Sequence, residues 1–230
     1  MDEAMARATW ADGARSVVPL LLGIVPFGLI FGVTAIDAGV PPIAAWASSF
    51  IVFAGASQIA IVEVLDNGGA AVVAFATAVV INARLMMYSA DMGRYTSAFP
   101  IPVRMPLGYL LTDQAYLVTV HRFPSPSHRK GLLHFYFGAA LTLWTVWQIS
   151  TTSGMVLGTA VPESWSLGFA IPLTFMALLV LAVKDRPQLV AAVVGALVAV
   201  AGVGLPYSLG LLLGAAAGVT AGMVAARSTR

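Results

Sequence analysis

The run Ala38–Val62, "AGVPPIAAWASSFIVFAGASQIAIV", decides how this chain folds. It carries no charge and is long enough to span a bilayer, which takes about 20 apolar residues. Yet Phe53–Glu63, "FAGASQIAIVE", sets Gly55, Ser57 and Gln58 near its midpoint, where apolar side chains cost least. Such a pattern predicts a helix that breaks within the membrane and holds a solute at the break. Close packing through small residues, with Ser and Gln bonding between helices, is the structural alternative. It accounts for Gly55 and Ala56 more readily than for Gln58, whose amide offers several donors and acceptors to satisfy in a dry medium.

Working outward, the 230 residues are 59% hydrophobic and 10% charged. Soluble domains carry about 25% charged residues. The 12 Lys+Arg and 10 Asp+Glu are confined to short segments. Between them lie the charge-free stretches Ser16–Ile36, Ala38–Val62, Asn67–Ala83, Gly131–Pro162, Ser164–Val183 and Pro187–Ala226. The expected fold is therefore all-α: one integral membrane domain, 1–230, a polytopic helical bundle with interrupted helices. Full spans are expected at 16–36, 69–89, 131–150, 165–183, 187–204 and 206–226, with the turn between the last two at Gly202–Pro206, "GVGLP". The segments 43–65 and 106–120 are short, broken or re-entrant, or else they cross fully and give eight spans.

Cytoplasmic loops are enriched in Lys and Arg. The connections 37–42, 66–69 and 150–164 contain neither. If both doubtful segments enter and leave on one side, every Lys and Arg in the remaining connections and termini is cytoplasmic. With eight full spans both termini stay inside, but Arg94 and Arg104 become external. The charge rule favours the first arrangement. "LLGIVPFGLIFG" (21–32) and "LGFAIPLTFMAL" (167–178) share an LG pair, a mid-span Pro and an aromatic, which fits either an inverted repeat, a common transporter plan, or chance similarity among Gly- and Pro-rich spans. The polar start before the first apolar run, and that run's length, argue against a cleaved signal peptide.

Four groups of residues could carry chemistry. An unwound turn at "AGASQ" would expose backbone N–H groups at a half-helix start, which favours a carboxylate. Asn82 and Arg84, in "INARLMMYSADMGR", lie within or just behind an apolar span. Arg84 either snorkels to the cytoplasmic surface or borders the pathway, paired with an acid or a substrate carboxylate. Asp113 follows Leu110 and Leu111; a carboxylate at membrane depth is a functional hypothesis by default. It would act as counter-charge to an ammonium or as a proton carrier, unless 106–120 is an interfacial helix and Asp113 is solvated. Pro26 sits mid-span among Gly23, Gly28 and Gly32 and is expected to kink its helix.

Other classes are excluded by what the chain lacks. There is no Cys, hence no disulfide or thiolate metal site, and His121, His128 and His134 have no metal-ligand spacing. No cofactor or metal is expected. No basic face suits nucleic acid. No GxSxG, HExxH, P-loop or dinucleotide motif is present, and one buried acid does not make a protease dyad.

In order, "PFGLIFG", "FAGASQIA", "NARLMMYSA" and "LTDQAY" resemble the AzlC family, the large subunit of branched-chain amino acid exporters. The resemblance covers most of the chain and is strongest from Pro19 to about Tyr116. It implies export of leucine, isoleucine, valine and often methionine from the bacterial cytoplasm, across the inner membrane, with a separate small AzlD-type membrane subunit. Pro26, Gly28, Gly55, Ser57, Gln58, Asn82, Arg84 and Asp113 occupy the family's signature positions. Many members have His after the arginine; here Leu85 stands there, so a proton relay through that position is absent.

A zwitterionic apolar amino acid needs partners for both charges and a greasy slot. The broken-helix N–H groups with Ser57 and Gln58 would take the carboxylate. Asp113 or unwound carbonyls would take the ammonium, and Phe27, Phe31, Phe53 and Ile59 would line the slot. A proton-driven exporter is the leading expectation. A passive facilitator and a non-transporting membrane scaffold are the alternatives; an enzyme is remote.

Overall fold

The computed structural model describes residues 8–125, 131–158, 183, 185–205 and 209–228. Every regular element among them is helical. The expected span 165–183, with the second copy of the suspected repeat and Pro172, lies almost wholly outside the described residues.

The chain divides into two compact units, 1–165 and 166–230. The first holds α1 (Trp10–Asp37), α2 (Pro42–Ile51), α3 (Gly55–Asp66), α4 (Ala71–Thr96), α5 (Ile101–Tyr109), α6 (Asp113–Arg122) and α7 (Leu132–Leu157). α1 starts at a reciprocal cap: Thr9 Oγ1 accepts from the Asp12 N–H, and Asp12 Oδ2 accepts from the Thr9 N–H. It continues for 28 residues, helical through both Pro19 and Pro26. At 1.5 Å per residue that is roughly 42 Å, more than the thickness of a bilayer's hydrocarbon core. α1 and α4 are each long and apolar enough to cross a membrane. Val72, Phe75, Met86 and Met87 on α4 are each more than two-thirds exposed, a surface suited to lipid rather than water.

The core of this unit is the seam between α1 and α7, and glycine makes it possible. A Cβ on Gly13 would overlap the Phe135 carbonyl, and one on Gly138 the Trp10 carbonyl. Farther along, Gly32 lies on the Thr151 carbonyl and Gly154 on that of Leu29. Two backbones this close gain dispersion contact along their whole length, the way membrane helices associate without a hydrophobic drive. Phe31 and Val17 of α1 and Leu143 and Tyr136 of α7 are buried in this unit.

The two doubtful segments each form a pair of short helices. α2 and α3 are separated by Val52–Ala54, and α5 and α6 by Leu110–Thr112. The segment 106–120 is divided between two helices: its first residues end α5, which begins at Ile101, and Asp113 onward belongs to α6. Pro100, before the first residue of α5, and Thr112, whose Oγ1 accepts from the Ala115 N–H, punctuate it.

The second unit contains α8 (Arg186–Ala201) and α9 (Leu209–Ser228), antiparallel by way of the turn at 202–205. Asp185 caps α8 by accepting from the Gln188 N–H at 2.9 Å. The hairpin closes on small residues: Gly214 against the Gly195 carbonyl, Gly218 against that of Ala191. Leu197, Val200, Val219 and Val224 face outward.

The α1–α7 seam makes a paired prediction. Gly154→Val should lower stability by about 1–3 kcal/mol, since backbone on the facing helix cannot yield. Gly23→Ala, where nothing lies within 4 Å, should be neutral or raise stability by up to about 1 kcal/mol. Thermal unfolding of the purified protein in detergent measures both.

Candidate functional site

A break in a buried helix frees carbonyls on one side and amides on the other, and each must find a partner. At Val52–Ala54 the partners are side chains. The Ser49 carbonyl accepts from Gln148 Nε2 of α7 at 3.0 Å, and the Phe50 carbonyl accepts from the Tyr109 hydroxyl. On the far side Gln58 Oε1 accepts from the Ala54 N–H at 3.3 Å. Gln58 Nε2 donates back across the break to Ser48 Oγ (3.1 Å) and Ser49 Oγ (3.3 Å). Gln58 is thus a staple joining α2 to α3. Phe53 sits between them at φ 41°, a left-handed conformation that costs a bulky residue about 1–3 kcal/mol. Its ring is buried and lies 6.2 Å from that of Tyr109.

The start of α3 also binds α4. Ser57 Oγ donates to the Ala54 carbonyl (2.8 Å) and accepts from Asn82 Nδ2 (3.0 Å). Two residues on, Arg84 Nη2 lies 3.1 Å from Asp113 Oδ2, on the first residue of α6. One helix, α4, therefore reaches both half-helix starts: Asn82 meets that of α3 and Arg84 that of α6. Below this pair Tyr88 and Tyr116 stack at 4.5 Å, and the Tyr116 hydroxyl donates to Asp91, which also pairs with Arg94. The two breaks are linked as well. Tyr109, closing α5, caps α2, and the Tyr136 hydroxyl of α7 donates to the Leu107 carbonyl near the end of α5.

The residues singled out from sequence separate into groups. Gly55, Ala56, Ser57, Gln58, Phe53 and Asn82 come together at the first break. Arg84 and Asp113 pair at the second. Phe27, 8% exposed, lies directly on Gly55 beside Trp147, whereas Pro26 lies on the exposed face of α1. Phe31 and Ile59 are buried. Ser57 and Gln58 are less available than an unwound turn suggested, because the backbone recoils into helix at Gly55 and both side chains bond within the protein. Four buried side-chain atoms among the described residues have no hydrogen-bond partner: Asn82 Oδ1, Asp113 Oδ1, Trp147 Nε1 and Gln148 Oε1. All four lie on residues that touch one of the breaks.

Gln148, Trp147 and Tyr109 escaped the sequence reading. Gln148 was open to detection: it is an amide within an apolar span, as Gln58 is. Trp147 and Tyr109 carried no such signal. The described residues hold no cluster of His, Asp or Glu able to bind a metal.

A family model described as AzlC protein matches residues 19–161. The chain belongs to the AzlC family. The match ends close to where the first unit does. The protein is 25% identical over 210 residues to the inner membrane protein YgaZ of Escherichia coli, covering 88% of this chain and 85% of that one. It is 28% identical over 200 residues to an uncharacterized membrane protein of Archaeoglobus fulgidus, covering 84% of each. No solved structure matches.

The exposed Arg84–Asp113 pair and the buried staple should differ in strength. With side chains 44% and 27% exposed, Arg84 and Asp113 should couple by no more than about 1 kcal/mol in a double-mutant cycle. Gln58→Ala leaves the Ala54 amide and two hydroxyls without it and should cost about 1–3 kcal/mol. Unfolding of the single and double variants tests the contrast.

Proposed function

We propose that this chain exports branched-chain amino acids (leucine, isoleucine, valine and methionine beside them) from the bacterial cytoplasm across the inner membrane. It works as the large subunit with a small AzlD-type membrane partner, and the proton gradient drives it. Both termini are cytoplasmic, and 42–66 and 101–122 are broken segments rather than plain spans.

The observation that carries this reading is the bonding of α4 to two half-helix starts. Discontinuous helices whose N-termini face a common element are how transporters hold anionic groups at membrane depth. Here Asn82 and Arg84 supply the common element. Arg84 and the α3 amides suit a carboxylate. The unpartnered Asp113 Oδ1 and Asn82 Oδ1 suit an ammonium, and Asp113 is also the group to exchange a proton for it. Phe27 and Phe53 form the apolar wall, with Phe31 and Ile59 behind.

A second reading has an observation of its own. Ser57 and Gln58 already bond within the protein, as a scaffold that moves nothing would require.

Efflux of labelled leucine from cells expressing this chain with its small partner separates the readings. Asp113→Asn and Arg84→Gln should each slow efflux about tenfold or more, as loss of one charge-assisted contact implies. Efflux should fall when the pH gradient is collapsed; persistence would favour a facilitator. Efflux equal to that of cells lacking the chain would favour the scaffold.

A further inference from the structure

The contacts of the first unit fix the direction in which each of its helices runs. α1 and α7 are parallel: Gly13 lies on the Phe135 carbonyl, Gly28 on Ser150 and Gly32 on the Thr151 carbonyl. Their starts share one end of the unit and their finishes the other. α4 and α6 are parallel too, since Arg84 meets Asp113 and, about two turns on, Asp91 meets Tyr116. α6 finishes where the Phe123 ring meets that of Phe135, at the starting end of α1 and α7. α4 therefore finishes at that end as well. Its 26 residues, roughly 39 Å, place its own start at the other.

The two broken segments fall into place on this frame. Only Ser97–Pro100 separates α4 from α5, so α5 begins at the starting end. It runs inward: its Leu107 carbonyl meets Tyr136, and Tyr109 meets Trp144, about two turns farther along α7. α6 then runs back out. α2 follows α1 after Ala38–Pro41 and so begins at the finishing end. It runs inward to Ser49 and Phe50, beside Gln148 and Trp144. α3 leaves from Gly55, against Trp147 and Phe27, and returns through Asn67–Ala70 to the start of α4. The four arms have 10, 12, 9 and 10 residues, roughly 14–18 Å each, about half of a hydrocarbon core. Charge orients the frame. Arg15, Arg94 and Arg122 lie toward the starting end, whereas residues 38–70 hold no Lys or Arg. Basic residues mark the cytoplasmic side.

We propose that α2–α3 and α5–α6 are re-entrant hairpins, the first entering from outside and the second from the cytoplasm, which meet tip to tip at Tyr109, the latch of the barrier between the two faces. Irregular backbone at membrane depth is tolerated where protein covers it, and here each tip helps to cover the other. The Tyr109 hydroxyl donates to the Phe50 carbonyl at the end of α2 and accepts from Trp144 Nε1 at 3.0 Å. Its ring lies 6.2 Å from that of Phe53, the left-handed residue of the opposite tip. This hydroxyl ties one hairpin to the other, and the tie must part for a solute to pass. The hairpins stand without the transport reading; the latch rests on it.

The chain has no native cysteine, so single cysteines report sidedness cleanly. Asp37, Asn67, Ala98 and His121 are exposed and bracket the hairpins. In intact cells, a membrane-impermeant maleimide should label Asp37→Cys and Asn67→Cys. Ala98→Cys and His121→Cys should react only once the membrane is opened. Opposite sides within a pair would make that segment a plain crossing, and a reversed pattern would exchange the entry faces; either overturns the proposal. Tyr109→Phe keeps the ring and removes the hydroxyl. With the pH gradient collapsed, efflux of labelled leucine down its own gradient should exceed that of wild type about tenfold, from cells that also express the small partner. Trp144→Phe, which removes the donor to that hydroxyl, should raise efflux in the same direction. Efflux no higher than wild type in both variants overturns the latch and leaves the hairpins in place. Wild type without efflux under any condition overturns the transport reading, and the latch with it, while the labelling still decides the hairpins.

Discussion

Water does not reach a buried break in a helix, so the protein itself must complete it. That constraint organises the first unit. The three residues Val52–Ala54 disconnect α2 from α3, and the groups set free are met by Gln58 from the same segment, Tyr109 from α5 and Gln148 from α7. The break is therefore a built feature with partners on several helices. The strained Phe53 persists because those partners, together with its buried ring, hold the backbone on either side.

The rest of the unit supports that arrangement. α7 can deliver Gln148 and Trp147 to the break because it is drawn onto α1 by glycine contacts near both ends, at Gly13 and Gly138 toward one and at Gly32 and Gly154 toward the other. α4 ties the two half-helix starts together through Asn82 and Arg84. The polar groups satisfied inside the protein fix the shape of the break. Those left over, on Asn82, Asp113, Trp147 and Gln148, are where a solute carrying both charges would gain most.

How far the sequence led depended on the kind of signal. Long charge-free runs gave α1, α4, α7, α8 and α9 near their observed positions, since length and hydropathy alone require those helices. Glycine and amides inside an apolar run pointed to the first break, because such residues cost too much there without a purpose. The second break was blurred. "LLTDQ" places an acid beside apolar residues without showing where a helix stops, while Thr112 is a helix cap and Asp113 the first residue of a new helix. Gln58 was expected to face a solute and instead spans two helices of its own segment. Which partner a buried amide chooses depends on its neighbours in space, and a single sequence does not carry that. Trp147 was invisible for the same reason: a tryptophan in a span usually packs, and a single sequence does not place its ring edge against Gly55.

The central claim is that the start of α3 receives a solute. The chain has no native cysteine, so one introduced at Ala56, a partly exposed position in the first turn of α3, reports on that point alone. The rate of its reaction with a small water-soluble thiol reagent, with and without leucine, is the most direct measurement. The account predicts that the cysteine reacts and that leucine slows it, while an amino acid with a charged side chain does not. A cysteine that stays inert, or reacts at one rate whether or not leucine is present, would contradict it.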